Sequence, residues 1–325
     1  MAQFGLKLNE YIEKYMVLIA PLAIVLGLLF GDILTAYTSL VPYLFAYVTF
    51  AMAIGCSIKH MKAVFNEPRK LLVMLAVIHI VLPIIVYVLA GLVFGYQSPY
   101  VVGLVMFTLI PVGISSVIWV SMTGGNVSLV LAIVVIDSLL SPFVITGGLR
   151  LLFHKSIQLD TMSMLTDLLY IIVAPTIVGI VLHELTKGKV ASAIKPYSAP
   201  LSKLCFVAVI VLNAAALTPS LDQLKGDLIK IIPISIGIVL LSYSFGYVSS
   251  MKEQERASKI TMSYASGIRN VSLGAVIALT YFTPQTAMPI LIGILLQQPI
   301  ATMISLFLQK LNNRTASQSD LTRVR

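Results

Sequence analysis

Long stretches of apolar residues alternate with short polar segments along the whole chain. Each stretch has about twenty residues, the length that an α-helix needs to cross the hydrocarbon core of a bilayer. We predict ten spans and number them in chain order: residues 15–34, 39–58, 70–95, 99–123, 127–152, 163–185, 199–218, 228–249, 257–282 and 285–309. The pattern therefore predicts an all-α protein that crosses a membrane many times.

The composition supports a membrane protein. Of the 325 residues, 58% are hydrophobic and 11% are charged, whereas a soluble domain has about 25% charged residues. A soluble fold of this composition would have too few charged side chains to cover its surface. The lipid bilayer is thus the expected surrounding, and the net charge of +9 needs an explanation other than nucleic-acid binding.

The positions of the basic residues supply that explanation. Sixteen of the 22 lysines and arginines lie on one predicted side of the membrane and four on the other, while Lys203 and Arg269 lie within the spans. Positively charged loops stay in the cytoplasm, so we expect both termini there and no nucleic-acid partner. The loop-poor chain is typical of the inner (plasma) membrane. A basic connection, residues 59–69, predicts a short interfacial helix.

The ten spans divide into two sets of five, residues 1–156 and 157–311, followed by a polar tail, 312–325, that we expect to be a disordered cytoplasmic segment. An odd number of spans per half gives the halves opposite orientations, as in many secondary transporters. Spans four and nine are each interrupted, by "IPVGISS" (110–116) and "ASGIRNVS" (265–272). Paired broken helices at matching positions point to a substrate site.

The order of several motifs resembles the bile acid:sodium symporter family. These motifs are the proline–glycine break in span four, "GGNVSL" (124–129), "SP" (141–142) in span five and "RNVSLG" (269–274) in span nine. The resemblance covers essentially the whole chain. It implies two inverted five-helix repeats in which broken spans four and nine cross. It also implies a core domain of spans three to five and eight to ten, and a panel of spans one, two, six and seven.

The same resemblance implies an alternating-access carrier that binds an organic anion between core and panel. Carboxylates such as small keto or hydroxy acids and bulkier bile-acid-like compounds both fit. An arsenite-type efflux carrier is the nearest alternative, but those relatives place a cysteine at the break in span four, where this chain has "PVGISS". An enzyme is not expected, because no nucleophile has a base partner at a recognisable spacing. No Cys/His cluster suggests a metal, and no cofactor is expected.

The residues aligned with the family's sodium ligands differ from them. Sodium requires oxygen ligands, and the resemblance places them in spans three, four, five and nine. The matching positions here are Ile78, Ser116, Val117, Val130, Val134, Ala265 and Arg269. Among these side chains only Ser116 offers an oxygen, so we expect a sodium-independent carrier, with a sodium-coupled symporter of the same family as the alternative.

Two new charges accompany this loss. Arg269 replaces a glutamine in span nine, and Asp137 is the one acidic residue deep within a predicted span. Charges inside a bilayer are rarely left alone, so we hypothesise that Asp137 pairs with Arg269, and that this fixed cation takes the place of sodium. The alternative is that the pair merely fastens spans five and nine together. Coupling to a proton through Asp137 or His79, or no coupling at all, both remain open.

Five polar residues are candidates for substrate binding: Ser115, Ser116, Asn270, Gln297 and Gln298. Asn270 stands where the family has a substrate-contacting asparagine. The helix N-termini that follow the breaks favour a carboxylate, because they present free N–H groups and partial positive charge. The serines could instead bond to their own helices, and the glutamines could link neighbouring helices.

Overall fold

A computed structural model describes residues 2–59, 68–153, 160–220, 225–251, 253 and 255–323. In those ranges the chain is helical and contains no strand, apart from one isolated β-bridge. The α-helices are α1 (Ala2–Lys14), α2 (Met16–Leu29), α3 (Gly31–Leu34), α4 (Val41–Ala53), α5 (Pro68–Ala76), α6 (Leu82–Phe94), α7 (Pro99–Leu109), α8 (Ser115–Thr123), α9 (Val127–Phe153), α10 (Thr161–Leu168), α11 (Ala174–Leu185), α12 (Lys189–Ala215), α13 (Leu228–Ser249), α14 (Arg256–Gly267), α15 (Val271–Tyr281) and α16 (Pro284–Arg323). Most of the predicted interfacial helix at 59–69 lies outside the described residues.

Within the described part of the chain, seven helical segments are long and apolar enough to cross a membrane. Three shorter apolar helices, Leu18–Leu29, Pro99–Leu109 and Val271–Tyr281, lie in predicted spans one, four and nine. The last two are short because the chain leaves the helical conformation at the predicted interruptions. The protein is therefore a multi-pass membrane protein, while the count of ten spans and the inverted repeat stay predictions.

The helices pack in two groups. In the first group, α12 packs against α2 and α4, and α11 packs against α4. In the second group, α7 packs against α6 and α16, while α13 packs against α14 and α16. We call the first group the panel and the second the core, since they contain the spans to which the family resemblance gives those names. The long helix α9 lies with the core, against α7, α8 and α14.

Proline shapes the helix between α5 and α6. A π-helical turn, Val77–Val81, precedes Pro83, and the Leu82 N–H donates to the Val77 carbonyl instead of the Ile78 carbonyl. In a π-turn the next donor for Ile78 would come from Pro83, which has no N–H. The Ile78 carbonyl is therefore left without a donor from its own helix, and another element must supply one.

Two interruptions divide predicted spans four and nine. The first break, residues 110–114, separates α7 from α8, and the second break, residues 268–270, separates α14 from α15. Ile110 is extended (ψ 149°), the conformation favoured before proline. The Asn270 side chain accepts a hydrogen bond from the Leu273 N–H and so caps α15. Both breaks lie within the segments that the sequence indicated.

The last helix, α16, ends at Arg323. The disorder of the segment 312–325 stays a prediction. After Pro299 this helix meets neither proline nor glycine, the residues that most strongly end a helix.

Candidate functional site

The two breaks are hydrogen-bonded to each other. The Asn270 N–H donates to the Pro111 carbonyl at 2.8 Å, and the Gly113 N–H donates to the Ile268 carbonyl at 2.9 Å. Glycine is required at 113 because a Cβ there would lie 2.7 Å from the Arg269 carbonyl oxygen. The breaks thus satisfy each other's backbone groups at a depth where water is scarce.

Arg269 is buried at this crossing, with 1% of its surface exposed. Its Nη1 donates to the Ile110 carbonyl and its Nη2 to the Ile78 carbonyl, both at 3.3 Å. The Ile78 carbonyl is the one released by the π-turn and Pro83. A guanidinium with donors in a fixed fork suits two such carbonyls, so Arg269 links the second break to the first break and to the π-turn.

Asp137, on α9, is fully buried. One carboxylate oxygen lies 2.5 Å from His79 Nε2, and the other accepts a hydrogen bond from the Val112 N–H at 2.7 Å. No nitrogen of Arg269 lies within 4.0 Å of an Asp137 oxygen. The predicted direct pair is therefore corrected: His79 and Val112 occupy the carboxylate, and carbonyls occupy the guanidinium.

The charges of Arg269 and Asp137 are nevertheless neighbours. Both bind the first break. Arg269 donates to the carbonyl of Ile110, just before Pro111, and Asp137 accepts from the N–H of Val112, just after it. Across this short stretch of backbone, the Asp137 carboxylate is the acidic group that acts on the Arg269 guanidinium. The crossing therefore contains one buried cation, one buried anion and the imidazole of His79.

The two glutamines of α16 bind neighbouring helices. Gln297 is buried, and its Oε1 accepts a hydrogen bond from the Arg269 N–H at 2.9 Å. Gln298 accepts one from Trp119 Nε1 at 2.9 Å. This geometry corresponds to the helix-linking alternative. Gln297 in particular supports the second break, a role that the sequence did not indicate.

A small cavity of about 30 Å³ lies where the crossing meets the panel. Its panel lining is Phe45, Val48, Thr49, Met52, Ile172 and Phe206, and its core lining is Val112, Ile114, Val134, Ser138 and Asn270. Among the five predicted substrate-binding residues, Asn270 alone is in this lining. The volume is that of about one water molecule, so an organic acid would need the panel and the core to separate.

Several buried polar atoms at or next to the crossing have no hydrogen-bond partner among the described residues. They are His79 Nδ1, Ser116 Oγ, Ser266 Oγ, Arg269 Nε and Ser272 Oγ. Buried polar groups are usually paired in native structures. Of these atoms His79 Nδ1 can bind a proton, while the serine hydroxyls and Arg269 Nε can bind water or a polar ligand group.

The residues aligned with the family's sodium ligands offer one side-chain oxygen, that of Ser116. Val130, Val134 and Ala265 are buried and have no side-chain oxygen. The carbonyls of Ile78 and Ile110 accept hydrogen bonds from Arg269. These residues do not fit a sodium ion, which needs several oxygen ligands.

Comparisons with known proteins identify a family and several similar proteins. Residues 41–221 match the family described as Sodium Bile acid symporter family. Bacillus subtilis YbaS, an uncharacterized protein, is 30% identical over 91% of this chain and 97% of its own length. YocS of the same organism, an uncharacterized sodium-dependent transporter, is 23% identical over 82% of this chain and 81% of its own. A rice chloroplast protein, the probable sodium/metabolite cotransporter BASS1, is 24% identical over 75% of this chain and 59% of its own.

Proposed function

This chain belongs to the sodium bile acid symporter family. We propose that it carries organic anions by alternating access, as that membership suggests, and that it does so without bound sodium. Arg269 supplies the fixed positive charge that a bound cation supplies in a sodium-coupled carrier. The lipid bilayer surrounds the carrier, which we place in the inner membrane with both termini in the cytoplasm.

The position of the Arg269 guanidinium carries this proposal. It donates to two backbone carbonyls at the crossing, and carbonyl oxygens are groups that would otherwise be available to a cation. An arginine is effectively always charged, so this cation cannot dissociate. A carrier built in this way has no exchangeable sodium at the crossing, and its anion binding should not respond to sodium.

The surroundings of the cavity favour a carboxylate with an apolar body. Helices α8 and α15 both begin at the breaks beside the cavity, and helix N-termini attract anions. Asn270 contributes a polar group to a lining that is otherwise mostly apolar. Ser138 and Thr49 donate to carbonyls of their own helices, which leaves Asn270 as the residue best placed to orient a carboxylate.

The position of the cavity supports alternating access. Panel and core residues both line it, and it is too small for an organic acid while the two groups are in contact. Tyr281 on α15 also donates a hydrogen bond to Asp167 on α10, which links core and panel away from the cavity. Separation of the two groups would open the cavity and break such links, giving the substrate a route in and out.

Sodium-coupled cotransport is the alternative, because two relatives are named as sodium-dependent or sodium/metabolite transporters. The deciding experiment is uptake of labelled pyruvate, lactate and cholate into proteoliposomes, with sodium replaced by choline at constant ionic strength. Equal uptake in both media is expected, and protein-free liposomes are the control. Saturable stimulation by sodium would overturn the sodium-independent proposal.

A further inference from the structure

A carrier without sodium needs another source of energy if it is to accumulate its substrate. The crossing holds one titratable pair that the proposed function has not used. We propose that His79 and Asp137 form a proton-binding site, and that one proton crosses with each monovalent organic anion. This inference rests on the proposed function and adds the co-transported ion to it.

The geometry gives the proton a defined place. His79 Nε2 lies 2.5 Å from an Asp137 oxygen, and when Nε2 carries the hydrogen it donates to that carboxylate. The other ring nitrogen, Nδ1, then has a lone pair, and it is buried without a partner among the described residues. A proton taken from the water on one side binds Nδ1 and forms an imidazolium. Its release on the other side restores the lone pair, and no other bond changes.

The chain places this histidine by a local distortion. His79 lies in the middle of the π-turn Val77–Val81, and π-turns within helices occur frequently at functional sites. The same turn releases the Ile78 carbonyl for Arg269. The distortion therefore serves both the fixed cation and the titratable group.

The charges explain why proton and anion would travel together. With a neutral His79, Arg269 and Asp137 sum to zero, and the crossing offers an anion no net attraction. One added proton makes the sum +1. Because each ligand then favours the binding of the other by the same factor, the two are coupled. The His79–Asp137 pair lies next to the cavity. Val112 donates to Asp137 and also lines the cavity, and Ser138, which follows Asp137 in the chain, lines it as well.

Other titratable groups around the pair lie on identifiable elements. The second break supplies Arg269, on whose guanidinium the Asp137 carboxylate acts. The π-turn is packed by α5, α6, α7 and α13, and α9 is packed by α7, α8, α10, α14 and the π-turn Leu169–Val173. The charged and phenolic residues on these elements are Arg69, Lys70, Tyr87, Tyr100, Asp167, Tyr170, Lys230, Tyr243, Tyr247, Arg256, Lys259 and Tyr264. Asp167 and the lysines and arginines of this set lie towards the ends of their helices, whereas His79 is bonded directly to Asp137 at the crossing.

Transport in proteoliposomes tests the coupling. Uptake of labelled pyruvate, lactate and cholate is measured with pH 7.5 inside and either 7.5 or 6.0 outside, after subtraction of protein-free liposomes. One-to-one symport drives accumulation of up to about tenfold per pH unit, so a clear stimulation by the acidic outside is expected. His79→Gln keeps a hydrogen-bond donor but cannot take a proton, and the stimulation should disappear. The control is His183, which lies on panel helix α11 and is hydrogen-bonded to the Ile54 carbonyl. His183→Gln should keep the stimulation by the acidic outside.

A titration of the purified protein separates this inference from the proposed function. The chain has four histidines, and in protein labelled with ¹⁵N-histidine the His79 signals are those missing from His79→Gln. A change of protonation at His79 between pH 5 and 9 is expected. The inference is overturned if uptake by the unmodified protein does not depend on the pH gradient. It is also overturned if His79 does not change its protonation. If no probe is transported, the proposed function fails for those anions, and the titration still decides the proton site.

Discussion

The two breaks cross at one point, but they are made in different ways. The first break contains Pro111 and Gly113, and proline ends a helix without help from any partner because it lacks an N–H and its ring clashes with the preceding turn. The second break, residues 268–270, contains neither proline nor glycine. The first break is therefore encoded locally, whereas the second depends on what surrounds it.

The surroundings of the second break supply partners from three other elements. Its N–H groups donate to the Pro111 carbonyl and to Gln297, and the Arg269 side chain binds the Ile78 and Ile110 carbonyls. The Pro111 carbonyl and Gln297 replace the acceptors that these two N–H groups would have had within a continuous helix. Loss of one partner should thus cost more at the second break than an equivalent loss elsewhere.

The largest effect is expected for Arg269→Met. It leaves two buried carbonyls without donors and Asp137 without its neighbouring cation. Removing one member of a buried charge set typically costs about 3–5 kcal/mol, so the melting temperature in detergent should fall strongly and uptake should be lost. Arg269→Lys keeps the charge but not the forked pair of donors. Its melting temperature and uptake should lie between those of Arg269→Met and those of the unmodified protein. A melting temperature of Arg269→Met equal to that of the unmodified protein would contradict the structural role of the guanidinium.

The contact between the breaks is tested next, by a pair of glycine substitutions. Gly113→Ala places a Cβ 2.7 Å from the Arg269 carbonyl oxygen, a backbone atom that cannot move aside without separating the breaks. A destabilisation of about 3 kcal/mol is expected, the upper end for overpacking. Gly237→Ala, within α13, meets no atom within 4 Å and should stabilise the helix by up to about 1 kcal/mol. Equal melting temperatures for the two variants would rule out the close approach.

The difference between the breaks also explains what the sequence could predict. Both interruptions and their polar residues were visible, because proline, glycine and an arginine stand out within apolar spans. The predicted partner of Arg269, the Asp137 carboxylate, was wrong. The guanidinium binds two carbonyls that lie 159 and 191 residues away in the chain, and that choice depends on how the helices pack. The one available signal was Pro83, which follows His79 by four residues and frees a carbonyl next to it.

The contacts of Asp137 and Gln297 were missed for a related reason. The bond between His79 and Asp137 joins positions 58 residues apart, and nothing in either span specifies the rotation of its helix. Gln297 and Gln298 are consecutive and chemically identical, so the sequence could not show that one binds Arg269 and the other Trp119. Such assignments follow from helix register, which is fixed only when the core is packed.

These two glutamines provide a matched test of the second break. Gln297→Ala removes the acceptor of the buried Arg269 N–H, and an unsatisfied buried donor costs about 1–3 kcal/mol; we expect about 2 kcal/mol together with slower uptake. Gln298→Ala removes a bond at a partly exposed site and should cost at most about 1 kcal/mol. A larger loss from Gln298→Ala, measured by melting temperature under the same conditions, would contradict the special role of Gln297.

The smallest change in stability is expected at Asn270, where it separates two roles of one side chain. Asn270 caps α15 through the Leu273 N–H and also lines the cavity. Asn270→Ala should cost about 1 kcal/mol because the cap is lost, while serine caps helices about as well as asparagine. Asn270→Ser should therefore keep the melting temperature but lack the amide that faces the cavity. If uptake falls equally in both variants, Asn270 acts on the anion directly. Full uptake by Asn270→Ser would reduce its role to holding the start of α15 at the crossing.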